Sequence, residues 1–207
     1  MLLMTQVDQI PIDQIHEKLK GELLQNLVRE IEDLEFPYQN YYYGEDKKTL
    51  PPKDSPTKYF RFRQYQFVAK PIEEVFKFFA EAKNLERITP SQLQFKIDSQ
   101  STEEIQEGTK FVYKLKIHGV PAKWKTNITN WNPPYEFVDW QEKGPYRVWY
   151  HNHLFVETES GTLLIDEVKF VLPLRWISNI LVSWFIKLDV KSIFKYRYEY
   201  IRDYYKA

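Results

Sequence analysis

The sequence contains no cysteine and only six glycines among its 207 residues. The absence of cysteine excludes disulfide bonds, thiolate catalysis and zinc–thiolate sites together. The scarcity of glycine argues against a phosphate-binding loop or a dinucleotide-binding fingerprint, because these motifs use closely spaced glycines. A Gly-x-Ser-x-Gly nucleophile elbow is absent as well. The residues therefore indicate no nucleophile or nucleotide site of a known kind.

An excess of one charge is also lacking, because 29 Lys and Arg residues are matched by 29 Asp and Glu residues. A balanced chain has no overall field that would attract nucleic acid, so we predict no nucleic-acid partner. The N-terminus turns polar after its first four residues and shows neither a basic region nor a sustained apolar run. This pattern predicts a cytoplasmic protein without a signal peptide.

No long apolar run is present. Residues 176–188 come nearest to one, but polar residues interrupt this stretch and basic residues flank it. A membrane-spanning helix needs roughly 20 predominantly apolar residues in succession. We therefore predict no transmembrane segment and keep peripheral membrane contact as an alternative.

Aromatic residues are abundant instead, with 15 Tyr, 14 Phe and 6 Trp making up 17% of the chain. Rings in this number predict either a wide core or a pocket lined with aromatic side chains. The 43% of hydrophobic and 28% of charged residues are typical of a globular protein. The length suits one domain with an appendage.

Residues 1–57 differ in character from the rest. Apolar residues recur at intervals of three and four after Asp13, which predicts an amphipathic helix capped by Asp13 and running to about Leu34. Residues 36–57 contain four prolines and a glycine around a run of three tyrosines, which predicts an irregular connector. We divide the chain into this helix and connector, residues 1–57, and a ligand-binding domain, residues 58–207. The simplest expectation is that the helix packs on the domain.

From Tyr59 the apolar pattern alternates with a period of two, which predicts a first strand at residues 59–68. Pro71 then opens a predicted helix, and a short helical turn follows at residues 84–88. Six further strand-like segments, separated by short turn signals, predict an antiparallel meander: residues 93–98, 110–117, 122–131, 136–142, 146–157 and 162–172. Asp189 is predicted to cap a final helix.

These elements predict an α+β fold of the helix-grip kind. A seven-stranded curved antiparallel sheet surrounds a long C-terminal helix, with two short helices after the first strand and an extra N-terminal helix. The C-terminal helix is the element long enough to cover the apolar face of such a sheet. Because a strongly twisted sheet leaves a hollow around a single helix, we expect a ligand cavity between them.

Two groups of motifs resemble a known superfamily. Residues 71–76, Pro-Ile-Glu-Glu-Val-Phe, together with the order of the elements, are similar to the START-like or SRPBCC superfamily, which includes polyketide cyclases and dehydrases, lipid-transfer domains and the birch-pollen-allergen family. Residues 131–139, 144–155 and 162–168 resemble an uncharacterised, ligand-binding branch of it. The resemblance covers about residues 59–204 and implies ligand binding but no particular reaction.

The strand at residues 146–157 places four side chains on the face that we predict to point into the cavity: Trp149, His151, His153 and Phe155. Two histidines at this spacing can reach one metal ion, with Asp166 or Glu167 supplying a carboxylate. Nothing else in the sequence completes such a set, so we predict no metal and no other cofactor. We expect the imidazoles to bond to sheet neighbours or Asp166, or to polar groups of a ligand.

Arg197 falls in the middle of the apolar stripe of the final helix, where a guanidinium group needs a partner. We expect that partner to be Asp166, Asp139 or Glu167, or alternatively an anionic or carbonyl group of the ligand. The predicted ligand-binding residues combine aromatic walls with polar groups: Trp124, Thr126, Gln141, Tyr146, Trp149, His151, His153, Asp166 and Arg197. For the tryptophans, the simpler alternative is that they fill the core.

Three functions are compatible with this sequence. The first is the binding or carrying of a small hydrophobic molecule, such as a lipid, an isoprenoid or a polyketide-like compound. The second is a cyclase or dehydratase that uses His151 and His153, with Asp166, for acid–base catalysis. The third is a protein-interaction module that docks a partner through the N-terminal helix or residues 176–188. We favour the first function, which predicts a binding protein rather than an enzyme.

Overall fold

The computed structural model describes residues 2–34, 37–46, 57–172 and 180–206. Within these residues, eight strands form one sheet: β1 (Gln39–Asp46), β2 (Thr57–Val68), β3 (Lys96–Gln100), β4 (Lys110–Ile117), β5 (Val120–Asn132), β6 (Glu136–Lys143), β7 (Val148–Glu157) and β8 (Thr162–Val171). The same residues form six α-helices: α1 (Leu2–Val7), α2 (Ile15–Lys18), α3 (Gly21–Glu32), α4 (Ile72–Ala80), α5 (Ala82–Arg87) and α6 (Ile180–Lys206). Short 3₁₀ turns occur at Ile12–Gln14 and Ser91–Leu93.

The strands follow the spatial order β1-β2-β8-β7-β6-β5-β4-β3, and neighbouring strands are antiparallel. The consecutive hairpins from β3 to β8 are those that the turn signals predict. β8 returns to pair with β2, so the first and last predicted strands lie side by side. α6 lies on one face of the sheet, where the Phe194 ring is 4.7 Å from the Phe62 ring of β2. The helix-grip α+β fold is confirmed.

The sheet has eight strands rather than the predicted seven, because β1 forms within the segment that its prolines marked as a connector. β1 pairs with β2 along its whole length, at the edge of the sheet. The tyrosine run favours an extended strand. The Tyr41 ring lies 5.1 Å from that of Phe62, and its hydroxyl donates a 2.6 Å hydrogen bond to the Lys187 carbonyl. Residues 47–56, with the remaining prolines of the predicted connector, lie outside the described residues.

The prediction of one helix from Asp13 to Leu34 is wrong. The chain forms α1, a 3₁₀ turn that includes Asp13, then α2 and α3. The helix is interrupted between α2 and α3 because Lys20 is extended and Gly21 adopts a φ of 54°, a left-handed conformation that suits glycine. The apolar periodicity continues across this break, so α2 and α3 contribute to the same buried cluster.

The N-terminal helices cover the face of the sheet opposite α6. Their buried apolar residues, among them Met4, Ile15 and Leu27, form one cluster with Tyr65 and Leu154 of the sheet. β7 and β8 are therefore buried on both faces, and nearly all of their residues are inaccessible to solvent. The sheet is the middle layer between two layers of helix.

α6 begins earlier than predicted. Since it spans Ile180–Lys206, Asp189 lies inside the helix rather than at its N-terminus, and its carboxylate contacts Nε2 of His118 at 2.7 Å. Part of the apolar stretch at residues 176–188 lies outside the described residues. Among the helices of the four described ranges, none combines the length and apolar character that crossing a bilayer requires.

Candidate functional site

β7 positions the candidate site, because its alternate side chains point to the two helical layers. His151 and His153 lie on the α6 side, where the His151 ring is 5.3 Å from that of Phe194. In the register of the sheet, His151 lies opposite Asp139 of β6, and His153 lies opposite Asp166 of β8. Two imidazoles and two carboxylates from three neighbouring strands therefore meet beneath α6.

Each carboxylate contacts both imidazoles through a single oxygen. Oδ1 of Asp166 lies 2.8 Å from Nε2 of His151 and 2.9 Å from Nδ1 of His153. Oδ2 of Asp139 lies 3.4 Å from Nδ1 of His151 and 3.3 Å from Nε2 of His153. The two ring centroids are 3.7 Å apart. We call these four residues the His–Asp cluster.

The His–Asp cluster is largely shielded from solvent. The exposed fraction of the side chain is 4% for His151, 6% for His153 and 10% for Asp166, but 22% for Asp139. Asp139 is therefore the most accessible member. Nδ1 of His153 is buried, and its approach to Asp166 is not aligned as a hydrogen bond.

Arg197 of α6 adds a positive charge to the cluster. Its Nη1 lies 3.5 Å from Oδ1 of Asp166, and its guanidinium carbon lies 4.8 Å from the centre of the Phe194 ring. Its Nε is buried and has no hydrogen-bond partner within the described residues. Glu167, another of the predicted partners, points to the opposite face of β8 and accepts a 2.8 Å hydrogen bond from Nε of Arg63.

Hydrogen bonds within the cluster favour its charged forms. Burial alone would raise the pKa of Asp139 and of Asp166, but close contacts with both imidazoles outweigh burial and hold each pKa below that of an exposed carboxyl group. Burial alone would lower the pKa of His151, but close contacts with both carboxylates raise it above its ordinary value. The arrangement thus favours ionised carboxylates beside a protonated His151.

A cavity of about 50 Å³ reaches the cluster from the side of α4 and α5. Apolar and aromatic side chains form most of its wall, while Asp139 and His153 supply its polar end. The Phe137 ring stacks on the His153 imidazole with centroids 4.2 Å apart. An apolar wall and an ionisable pair therefore meet in one small space.

The hollow that we expected directly between the C-terminal helix and the sheet is filled where the structure describes it. Phe194 and Arg197 of α6 and His151 and Asp166 of the sheet are all buried there. The reason is steric, because a ring and a guanidinium group occupy space that smaller side chains would leave open. The cavity lies instead beside α6, between the α4–α5 pair and strands β4 to β7.

Three of the predicted ligand-binding residues form an aromatic group away from the cavity wall. The ring centroids of Tyr146 and Trp149 are 4.7 Å apart. The Trp124 centroid lies 5.2 Å from that of Trp149 and 5.6 Å from that of Tyr146. The Trp149 ring is also 6.0 Å from that of Phe170 of β8. In this arrangement the tryptophans pack against other rings, which was the simpler alternative for them.

Two other predicted residues make hydrogen bonds within the sheet. Nε2 of Gln141 donates a 2.6 Å bond to the Tyr146 carbonyl at the β6–β7 turn. The Thr126 hydroxyl donates a 3.3 Å bond to the Tyr113 hydroxyl. Among the predicted ligand-binding residues, His153 is the one that lines the cavity of about 50 Å³.

Asp139 is the site residue that sequence reasoning missed, since it appeared there only as a partner for Arg197. The signal was present, because Phe137, Asp139 and Gln141 alternate on β6 and so share one face. Because β6 is the neighbour of β7, a carboxylate on this face of β6 lies close to the two histidines of β7. Tyr113, another residue of the cavity wall, had no comparable signal.

No model of a protein family matches this chain, and no curated protein matches its sequence. Solved structures do match it. A START superfamily protein from Mycobacterium smegmatis superimposes with a TM-score of 0.54 at 10% identity, over 69% of this chain and 97% of that protein. Protein TTHA0849 from Thermus thermophilus superimposes with a TM-score of 0.52 at 14% identity, over 69% of this chain and 97% of TTHA0849.

A third match is the di-domain ARO/CYC protein StfQ from the steffimycin biosynthetic pathway. It superimposes with a TM-score of 0.56 at 11% identity, over 70% of this chain and 50% of StfQ. The chain thus corresponds to about half of that protein. At identities this low, the likeness concerns the fold alone.

Proposed function

We propose that this chain, which has the START-like fold that its sequence resembles, binds a small and largely apolar molecule carrying one polar group. The observation behind the proposal is the cavity beside α6, whose apolar wall ends on Asp139 and His153. Apolar pockets with a few convergent polar groups are the usual form of small-molecule sites. The apolar part of the molecule would lie among the rings, with its polar group facing the His–Asp cluster.

The cavity must enlarge to admit such a molecule, since ligand sites typically measure roughly 300–1,000 Å³ and this one measures about 50 Å³. We expect α5 to move. It is six residues long, and its attachment to α4 includes a 2.9 Å hydrogen bond from Nδ2 of Asn84 to the Phe78 carbonyl. An outward shift of α5 opens the wall formed by Ala82, Leu85 and Ile88 and leaves the strands in place.

Filling the cavity tests this proposal. Ala82 lines the cavity, whereas Ala80 is also half-buried and packs against the same apolar cluster without lining it. We expect untagged wild-type protein to carry or take up an apolar compound in native mass spectrometry, Ala82→Leu to lose it, and Ala80→Leu to keep it. Equal occupancy in both variants, or a wild-type protein that takes up neither octanoate nor octanol, contradicts the proposal.

Catalysis is the second candidate, and the position of the histidine pair favours it. His153 and Asp139 line the cavity, so a bound molecule would touch an imidazole that lies between two carboxylates, an arrangement suited to proton transfer. The name ARO/CYC of StfQ suggests cyclase-type chemistry on this fold. We expect His153→Gln to stop conversion of the bound compound, followed by mass spectrometry, without loss of binding. If His153→Gln loses binding and conversion to the same extent, His153 contacts the ligand but does not act in catalysis.

A further inference from the structure

The distances within the His–Asp cluster fall into two classes. The contacts at Asp166 are 2.8 and 2.9 Å, and the shorter of them, from His151, is a charge-assisted hydrogen bond. The contacts at Asp139 are longer, at 3.3 and 3.4 Å. In a tetrahedral site with metal–ligand bonds of about 2.1 Å, neighbouring ligand atoms lie about 3.4 Å apart. The spacing from Oδ2 of Asp139 to the two imidazole nitrogens therefore suits a shared metal ion.

Asp166 occupies the position of a carboxylate that contacts metal-bound histidines without binding the metal itself. A metal-bound imidazole usually donates its other N–H to such a group, which fixes the tautomer and the ring orientation. Nε2 of His151 is hydrogen-bonded to Asp166 at 2.8 Å, and Nδ1 of His153 lies 2.9 Å from the same oxygen. This leaves Nδ1 of His151 and Nε2 of His153 directed at Asp139.

The charge of the cluster is also compatible with a bound cation. With neutral imidazoles, the two carboxylates and the Arg197 guanidinium leave one net negative charge in a largely buried region. An unbalanced buried charge is costly. A proton on one imidazole would balance it, and so would a divalent ion whose remaining positive charge is met by hydroxide or by an anionic ligand group.

We propose that Asp139, His151 and His153 bind one divalent transition-metal ion, with a further coordination position open to the cavity. Each of the three offers a ligand atom within 4.8 Å of the other two. Two imidazoles and one carboxylate are a ligand set of zinc and of non-haem iron(II) sites. Because Asp139 and His153 line the cavity, water or the polar group of a bound molecule reaches the ion from that side.

This proposal replaces the sequence-based prediction of no metal, which considered Asp166 and Glu167 as the carboxylate ligand and overlooked Asp139. It stands independently of the apolar ligand, since the three metal ligands and Asp166 all belong to the sheet. The two proposals therefore fail separately.

Zinc titration of the whole, untagged protein tests the metal site. After chelator treatment, we expect calorimetry with ZnCl₂ to show one Zn²⁺ bound per chain and Co²⁺ to give the visible absorption of a four-coordinate site. Asp139→Asn removes the ligand charge and is expected to weaken Zn²⁺ binding at least tenfold. Asp166→Asn is expected to weaken it about 10- to 100-fold while keeping the Co²⁺ spectrum, as for other outer-shell partners.

The control is His118→Gln, because His118 forms an exposed histidine–carboxylate pair with Asp189 outside the cluster. It is expected to leave Zn²⁺ affinity unchanged, and Ala82→Leu is expected to keep Zn²⁺ binding even where it excludes an apolar compound. Circular dichroism checks that each variant is folded. A wild-type protein without saturable Zn²⁺ uptake, uptake lost in His118→Gln, or unchanged affinity in folded Asp139→Asn overturns the proposal. The results for the wild-type protein and for His118→Gln test the metal site even if the variants of the His–Asp cluster do not fold.

Discussion

For Arg197, the sequence predicts that the charge is buried and paired, but it does not identify the acidic partner. Its position within an apolar stripe predicts burial, and burial of a guanidinium predicts an acidic partner. The choice between Asp166 and Glu167 could not be predicted, because these sequence neighbours point to opposite faces of β8. Asp166 meets Arg197, whereas Glu167 pairs with Arg63. The second helical layer, which buries the Glu167 face, decides this outcome.

We expect Arg197→Met to destabilise the protein by about 2 kcal/mol, less than the roughly 3–5 kcal/mol of a broken buried pair, because Asp166 keeps its contacts with two imidazoles. Urea unfolding measures the change. Arg202→Met is the control, since Arg202 lies on the same helix and forms an exposed pair with Asp203; it is expected to change nothing measurable. Unchanged stability of Arg197→Met together with weaker ligand binding would make Arg197 a ligand contact instead.

At the scale of secondary-structure elements, the buried Asp8 links the N-terminal segment to the sheet through hydrogen bonds. Its carboxylate accepts hydrogen bonds from the Tyr38 hydroxyl at 2.8 Å, from Nδ2 of Asn40 at 2.7 Å and from the Tyr65 hydroxyl at 2.7 Å. Three donors on one buried carboxylate make a strong attachment. α1 is thus tied to both β2 and the β1 region.

Arg63 of β2 completes this attachment. Its side chain is fully buried, and Nη1 donates hydrogen bonds to the carbonyls of Val7 at 3.2 Å and Ile10 at 3.0 Å. The same guanidinium forms an ion pair with Glu167. A basic group therefore binds the carbonyl of the last residue of α1 and a carbonyl just beyond it, at a helix end where carbonyls lack partners within the helix.

We expect Asp8→Asn to lower the free energy of unfolding by about 2 kcal/mol, because an amide cannot accept all the hydrogen bonds that the carboxylate accepts. Asp13→Asn is the matched control, since Asp13 is exposed in the same segment. Hydrogen exchange followed by mass spectrometry is expected to show faster exchange in α1 of Asp8→Asn alone. Equal exchange in the two variants would mean that the buried carboxylate does not hold the segment.

The elements with local signals could be predicted, and those that depend on partners could not. Hairpin turns and alternating residues locate β2 and the strands from β4 to β8. β1 needs β2 as its neighbour, and the break before α3 depends on the backbone of Gly21, so neither is visible in the apolar periodicity. The same holds for the site. The sequence shows the two histidines and the face of β6 that carries Asp139, but the pairing of Asp139 with His151 depends on the register between β6 and β7.

At the scale of the whole molecule, the described residues form two helical layers around one sheet, and the N-terminal segment supplies one of these layers. Removing residues 1–34 would expose the apolar face around Tyr65, Leu154 and Ile165, which the segment now buries. We therefore expect the truncated protein to bind a hydrophobic dye and to melt at a lower temperature than the full chain. A soluble truncation with an unchanged melting temperature would instead favour a segment that serves an external partner.

The central claim is that a small apolar molecule with one polar group enters beside α5 and meets the His–Asp cluster. Methyl-resolved NMR during a titration with octanoate tests it directly. We expect saturable shifts in the methyl groups of the cavity wall, which belong to Leu85, Ile88, Ile105 and Ile128. The methyl groups of Leu27 and Val28, in the N-terminal layer, should stay unchanged. Shifts confined to the N-terminal layer, or no shifts with either octanoate or octanol, would contradict the account.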